Sequence, residues 1–333
     1  MRAAAGGGST PTISVLTPVY NGERHLADCI ESVLAQSRTD WEYLIVDNCS
    51  QDRSVAIAER YAADDGRIRV VRCTEFVNVH RSFSRSARLM HPRAAYCKFL
   101  AADDRLYPQC LEGMISVAER HPTVGLVSAY RLDDDRVTQT GVVPYPEERL
   151  PGSQVMRTAF LRGQYVTGSP SQLLYRADLV RRADPFFDET VWHSDTDAAF
   201  RTLLGCDLGF VHQVLTYTRR HPGALTSSSV RVNTYLPNDI RLLIRFGHQV
   251  LTAQEYRAAI RLMLARYAWF LLRQSLRPSR LHDAEFHAYH RAELLRMLSE
   301  LHGDRRSTVA LKSLRLLTRN LRAAGVPSSP VAG

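Results

Sequence analysis

Along the first 130 residues, short apolar runs alternate with longer stretches whose apolar positions recur every three or four residues. Ile13–Val19 is the first such run, and Leu26, Ile30, Val33 and Leu34 follow at helical spacing within residues 23–36. The same alternation predicts strands at 43–46, 68–71, 96–100 and 124–129. It predicts helices at 53–63, 82–90 and 108–120, the last with Pro108 at its start, where helices accept proline. Continuous apolar runs separated by helix-length segments belong to a parallel sheet covered on both faces. The fold class expected is therefore α/β, a Rossmann-like, mostly parallel sheet flanked by helices. From about residue 150 the pattern becomes mixed, with helices at 153–162 and 195–204 and strands at 172–175 and 208–217. Beyond residue 229 it is helical throughout, over 252–273, 283–301 and 307–322, which makes a C-terminal all-helical extension.

In open sheets of this kind, ligands bind beyond the carboxyl ends of the strands. Those positions carry Tyr20-Asn21-Gly22-Glu23, then Asp47-Asn48-Cys49-Ser50-Gln51-Asp52, then Ala101-Ala102-Asp103-Asp104. No G-x-G-x-x-G or G-x-x-x-x-G-K-[ST] follows a strand, and G-x-S-x-G and H-E-x-x-H are absent, so dinucleotide, P-loop, hydrolase-elbow and zincin chemistry lack support. A carboxylate fixed at a strand end suits Mg²⁺ or Mn²⁺, whose coordination substrate phosphates complete. Asp103-Asp104 equally reads as the cap of the next helix. Asp133-Asp134-Asp135, between Arg131 and Arg136, reads as a solvated turn.

Composition adds less than the distribution of charge. The chain has 333 residues, 45% hydrophobic and 23% charged, which excludes a disordered, collagenous or coiled-coil protein. Its net charge of +9 is uneven: residues 1–230 hold 26 basic and 27 acidic side chains, residues 231–333 hold 17 and 7. The excess sits in the helical extension, and Lys98 and Lys312 are the only lysines. Six cysteines without metal-ligand spacing read as buried free thiols of a reducing compartment. With no spanning-length apolar run and no apolar signal segment near Met1, a cytoplasmic protein is expected.

Taken in order, Thr17-Pro18-Val19-Tyr20-Asn21-Gly22-Glu23, Leu44-Ile45-Val46-Asp47-Asn48-Cys49-Ser50-Gln51-Asp52 and Lys98-Phe99-Leu100-Ala101-Ala102-Asp103-Asp104-Arg105-Leu106-Tyr107-Pro108 resemble the opening motifs of the family 2 inverting glycosyltransferases of GT-A fold, bacterial type. The resemblance continues through Asp188–Asp197 and ends at Arg219-Arg220-His221-Pro222-Gly223. It implies transfer of a sugar from a UDP-, dTDP- or GDP-sugar to a glycan or lipid-linked glycan acceptor, in cell-surface or extracellular polysaccharide or glycolipid synthesis, with Mg²⁺ or Mn²⁺ on the donor diphosphate. By match to the motifs, Pro18, Tyr20, Asn21, Glu23, Asp47 and Arg85 line the nucleotide-sugar site, and Asp103 holds donor and metal. Asp195 is the general base, and His221 completes the metal or diphosphate site. Trp192 is an acceptor-stacking aromatic or core. Read locally, Asp195 is equally a helix N-cap and His221 an ordinary strand-exit histidine. Three positions depart from the pattern: Ala101 replaces the first acid of D-x-D, Asn48 the second acid of the usual pair, and Ser194 a frequent glutamate.

The expected organisation is a tail at 1–11, a glycosyltransferase domain at 12–228, a basic helical extension at 229–323 and a tail at 324–333. The domain divides into a nucleotide-sugar half (12–130) and an acceptor half (131–228). Lys312, Arg315, Arg319 and Arg322, opposite Leu314, Leu317 and Leu321, make residues 307–322 a candidate membrane-surface helix, or one packed with its arginines in water. A nucleotide-sugar-binding module without catalysis is the alternative; nucleic-acid binding lacks an aromatic-basic sheet, a zinc motif or a recognition-helix motif.

Overall fold

A computed structural model describes residues 11–221, 225–277 and 283–301. These fall into two compact units, one running to Val155 and again over Tyr165–Arg220, the other comprising Met156–Gln164 and the residues from His221 onward. The candidate helix at 307–322 lies outside the described residues, as do Pro222 and Gly223.

The first unit is built on a ten-stranded sheet of order β3-β2-β1-β4-β9-β6-β10-β5, with β7 paired to β6 and β8 to β10. The strands are β1 (Ile13–Val19), β2 (Trp41–Asp47), β3 (Ile68–Arg72), β4 (Tyr96–Phe99), β5 (Arg105–Leu106), β6 (Val124–Asp133), β7 (Arg136–Thr138), β8 (Arg149–Leu150), β9 (Leu174–Arg176) and β10 (Asp207–Thr218). β1, β2, β3 and β4 run parallel, as do β6 and β10. Short β9 is antiparallel to both β4 and β6 and joins the two parallel sets. The mixed α/β class expected from the alternation is the one observed.

All seven residues of β1 are buried, which explains the continuous apolar run. One sheet face packs against α1 (Leu26–Leu34), through Leu26, Cys29, Ile30 and Val33, and against α4 (Cys110–Arg120). Between α1 and α4 lie α2 (Ser54–Asp64) and α3 (Val79–Arg88). An aromatic cluster of Phe83, Phe99, Tyr175, Phe186 and Phe187, with ring centroids 4.9–6.2 Å apart, joins β4, α3 and the segment after α6 (Ala177–Arg182). α3 begins three residues before the predicted start, at the Asn78 cap, whose Oδ1 accepts from the Arg81 amide at 2.9 Å. Its buried face is Ser82, Ser84, Ser86 and Ala87, so no apolar period marks it. Lys98, on β4, is fully buried with Nζ 3.6 Å from Met114 Sδ. Cys29, Cys97 and Cys110 are buried free thiols, whereas Cys49, Cys73 and Cys206 are half-buried. They lie near loops and surfaces, not in core strands.

α5 (Gly152–Arg162) begins in the first unit and ends in the second. The first unit closes its helix set with α7 (Ser194–Leu203). The second unit is helical: α8 (Leu225–Val232), α9 (Tyr235–Val250), α10 (Ala253–Ser275) and α11 (Ala284–Leu301). α10 opens with a capping box in which Thr252 and Glu255 each satisfy the other's backbone amide. Tyr267 and His290 meet in its core, Tyr Oη 2.7 Å from His Nδ1, while His290 Nε2 faces the Val232 carbonyl at 2.9 Å.

Candidate active site

Pro18 lies two residues beyond the last β1–β4 pair, Leu16 with Phe99, while β1 remains in register with β2. A residue without an N–H is tolerated where the ladder opens on one side. The chain beyond β1 turns through Asn21 at φ 50° and is fastened to the loop after β2. The Asn21 amide donates to Ser50 Oγ (3.0 Å), its Oδ1 accepts from the Gln51 amide (2.8 Å), and the Gly22 amide donates to Ser54 Oγ (2.8 Å). Glu23 Oε2 accepts from the backbone and side chain of Arg53, at 3.0 and 3.1 Å. Asn21 and Glu23 thus shape the loop; their side chains are engaged with protein. A Cβ placed on Gly22 would lie 2.8 Å from Val19 Cγ2 and 3.6 Å from Ala102 Cβ, so this loop abuts the turn carrying Asp103.

Asp47 is buried and accepts from the Ser50 amide at 3.1 Å. Asn48 spans to Val77, donating through Nδ2 to its carbonyl (2.7 Å) and accepting at Oδ1 from its amide (3.1 Å). An aspartate cannot make both bonds, which accounts for the departure from the usual acid pair. Val77 follows Phe76, and the exposed rings of Phe76 and Tyr20 pack with centroids 4.7 Å apart. Arg85 donates to the Glu75 carbonyl at 3.0 Å and so holds this aromatic loop. Phe76 was not marked by any strand-end motif.

Asp103 and Asp104 do not cap α4; β5 intervenes, and the cap position is Gln109. Asp103 is half-buried and Asp104 buried. Burial, together with the charge of Asp103, pushes the Asp104 carboxyl up to about 7. Asp104 Oδ1 accepts from the Arg219 amide (3.3 Å), while the Arg219 side chain donates to the Asp103 carbonyl (3.3 Å) and to Asp28 Oδ2 (2.9 Å). Ser171 supports the same turn, accepting from the Ala101 amide at 3.0 Å and hydrogen-bonding Asp104.

Asp195 is not the cap of α7 either; it stands inside the first turn, after His193 at the cap position. Loss of water around its carboxyl raises its pKa. Beside it, Ser194 Oγ and His80 Nδ1 are 2.6 Å apart, and burial lowers the pKa of His80. Burial also lowers His193, to about 4. Trp192 is partly exposed at the start of the same turn. Arg131, on β6, bears on both acids: its positive charge opposes part of the rise at Asp104 and at Asp195. Its Nη2 reaches Asp133 at 3.3 Å, while its buried Nε has no hydrogen-bond partner among the described residues. Ser169 Oγ and Thr218 Oγ1 are likewise without one.

The acidic run is a correction. Asp134 and Asp135 are exposed, but Asp133 is buried between Arg131 and Arg220. Burial opposes its ionisation, and the Arg220 and Arg131 guanidiniums overcome that and hold its carboxyl below the usual range. Arg220 is anchored further by its amide on Asp134 Oδ1, at 3.1 Å. The run fixes the Arg219–Arg220 backbone that seats Asp104. His221 belongs to the second unit.

Among the described residues, no group of three or more His, Cys, Asp or Glu forms a closed metal site. Mg²⁺ and Mn²⁺ need only one or two protein carboxylates, the remaining positions being left to phosphate and water. A buried, raised carboxyl beside a more open one is a hard-oxygen set that gains from a cation, so the residues fit such an ion.

Similarity to other proteins converges on the same region. The family model for Glycosyl transferase family 2 matches residues 14–183. The chain is 30% identical over 195 residues to the putative glycosyltransferase EpsE of Bacillus subtilis, covering 58% of this chain and 69% of EpsE. It is 37% identical over 133 residues to the uncharacterized protein y4gI of Sinorhizobium fredii, covering 39% of this chain but 14% of y4gI. In fold it is similar to Staphylococcus aureus TarS 1–349, with a TM-score of 0.63, 16% identity and coverage of 94% and 87%; TarS has also been solved with UDP-GlcNAc. It is similar too to the mannosyltransferase PcManGT of Pyrobaculum calidifontis in complex with GDP-Man and Mn²⁺, with a TM-score of 0.55, 16% identity and coverage of 95% and 86%. The chain belongs to glycosyl transferase family 2, and its fold is that of the GT-A glycosyltransferases.

Proposed function

We propose that the protein is an inverting, cation-dependent glycosyltransferase that moves a sugar from a nucleoside-diphospho-sugar to an acceptor hydroxyl. The observation that carries this reading is that Asp104 and Asp195 are both raised by burial, with the positive charge of Arg131 opposing that rise at each. Direct displacement at an anomeric carbon needs one group to take the acceptor's proton and others to meet charge on the departing diphosphate. Asp195 takes the hydroxyl proton as the acceptor oxygen forms its bond to the anomeric carbon. The bond from that carbon to the diphosphate oxygen breaks on the opposite face, which inverts the configuration. A carboxyl raised by desolvation is a stronger base once ionised, which suits it to a hydroxyl at neutral pH. Arg131 and Arg219 place positive charge beside the acids where the diphosphate is released.

Asp103 would hold Mg²⁺ or Mn²⁺, which supplies charge to stabilise the leaving diphosphate. Tyr20 and Phe76 offer an aromatic surface for the base, with Asp47 on the ribose or base and Pro18 shaping the opening of the sheet. Trp192 stacks on the acceptor. UDP-, dTDP- and GDP-sugars are the donor candidates, and a cell-surface or lipid-linked glycan is the acceptor class. The nucleotide sugars held by proteins of similar fold support the donor assignment. Among relatives, a putative teichuronic acid biosynthesis glycosyltransferase, TuaG of Bacillus subtilis, 38% identical over 102 residues, supports the acceptor assignment.

The test is a thermal-shift screen of UDP-, dTDP- and GDP-sugars with Mn²⁺ or Mg²⁺, followed by nucleotide release from the stabilising donor. One donor should stabilise the protein, and EDTA or Asp103→Ala should remove the effect. Stabilisation without any release, to water or to acceptors, would leave a binding module and overturn the catalytic reading.

A further inference from the structure

α10 buries Tyr256, Ile260, Met263, Leu264, Tyr267 and Leu271 in the second unit. On nearly the opposite side of the same helix, Leu262, Ala265, Trp269 and Leu272, with Leu276 at the C-cap, recur at alternating spacings of three and four, and all are exposed. Leu262, Trp269, Leu272 and Leu276 are 51%, 60%, 52% and 75% exposed, so the stripe is open along about 21 Å of helix. A helix apolar on two faces needs a partner for each, and among the described residues this one has a protein partner on only one.

The borders of the stripe say what the other partner is. Arg257 and Arg261 run along one edge, Arg266, Arg273 and Arg277 along the other, and no acidic residue occurs from Tyr256 to Arg277. None of the five arginines makes an ion pair with a described residue. Elsewhere in this unit arginines are paired: Arg157 with Glu255 (2.6 Å), Arg231 with Glu285 (2.6 Å), Arg241 with Glu300 (3.2 Å). A second copy docked on the stripe would set arginine against arginine. Residues 302–333 would do the same, holding six basic side chains and one acidic.

We propose that this face of α10 lies on the surface of an anionic membrane. The leucines and Trp269 enter the headgroup region and the five arginines meet lipid phosphates. An apolar face with tryptophan and leucine, edged by arginine, is the composition of a helix that lies in a bilayer interface. No described helix is long and apolar enough to cross a membrane, so α10 lies along the surface. The inference does not depend on the catalytic reading, although a surface-bound enzyme would meet lipid-linked acceptors directly.

The experiment is co-sedimentation of the full chain with vesicles of pure phosphatidylcholine or of phosphatidylcholine with 30% phosphatidylglycerol, at low and high salt. Wild type should sediment with the anionic vesicles at low salt, weakly with neutral ones, and less at high salt. The triple variant Leu262→Gln, Trp269→Gln, Leu272→Gln should bind at least tenfold less while keeping the circular dichroism and nucleotide binding of wild type. Binding equal in wild type and variant, with loss on truncation after Leu301, would place the contact in the terminal segment and overturn the proposal. So would a wild-type dimer in sedimentation velocity that the triple variant dissociates, or no binding of wild type to anionic vesicles.

Discussion

Replacing Asp104 by asparagine should stabilise the apo protein, and the gain should depend on pH in a defined way. Asp104 is enclosed beside Asp103, and its carboxyl is raised from 3.8 to about 7. A carboxyl raised on folding adds its full share of stability below its unfolded pKa and loses it as pH rises through the folded value. Each pH unit in that window is worth about 1.4 kcal/mol, so ionising Asp104 in the fold costs on the order of 4 kcal/mol above pH 7. Asparagine keeps an oxygen for the Arg219 amide and carries no charge to desolvate. Urea unfolding of Asp104→Asn and wild type should therefore agree near pH 4 and diverge by about 1.4 kcal/mol per unit up to pH 7, the variant ahead. Above pH 7 the difference should stay level. A stabilising cation and donor should narrow the gap, since they favour the ionised carboxyl of the wild type. A difference unchanged between pH 5 and pH 8, or a wild type more stable than the variant at pH 8 without cation, would refute the reasoning.

Other perturbations test separate parts of the structure. Lys98 is buried with its pKa lowered by burial, so its share of stability rises with pH toward the lysine's unfolded value; Lys98→Met should remove that slope and stabilise the protein at pH 7, as read by denaturant midpoint. Asn48→Asp restores the usual acid pair but removes the donor to the Val77 carbonyl, and should cost about 1–3 kcal/mol and weaken nucleotide binding through the Tyr20–Phe76 loop. Because burial raises Asp195, the acidic limb of kcat/KM against pH should fall above the ordinary aspartate range, and a limb near pH 4 would speak against Asp195 as base.

The positions of the main strands followed from the sequence because parallel strands are buried on both faces and print continuous apolar runs. β5, β7 and β8 were the least legible strands: two or three residues long, they show no period and were not among the expected strands, whereas β9 overlaps the one expected at 172–175. α3 hid its first turn because its buried face is serine, and Ser84 there both donates to and accepts from the Phe187 backbone, at 3.1 and 3.0 Å. A strand-end motif pointed to Asp103 and the family resemblance to Asp195, but neither pointed to the groups around them. Ser171, Arg131 and Arg219 arrive from distant parts of the chain, and their bonds depend on sheet order. The Gly168-Ser169-Pro170-Ser171 turn and the arginine pair before His221 were the available signals. Asp133 was misread because a charge run is usually solvated; the burial of one member depends on Arg220, which lies 87 residues away.

The most direct test of the central claim is to compare donor binding and sugar transfer in Asp195→Asn, Asp103→Asn and wild type, using the nucleotide sugar and cation that stabilise the wild type most. Calorimetry should show Asp195→Asn binding donor as tightly as wild type while nucleotide release falls at least a hundredfold, and Asp103→Asn losing both. Transfer by Asp195→Asn at the wild-type rate, or donor binding by Asp103→Asn that still responds to the cation as wild type does, would contradict the account.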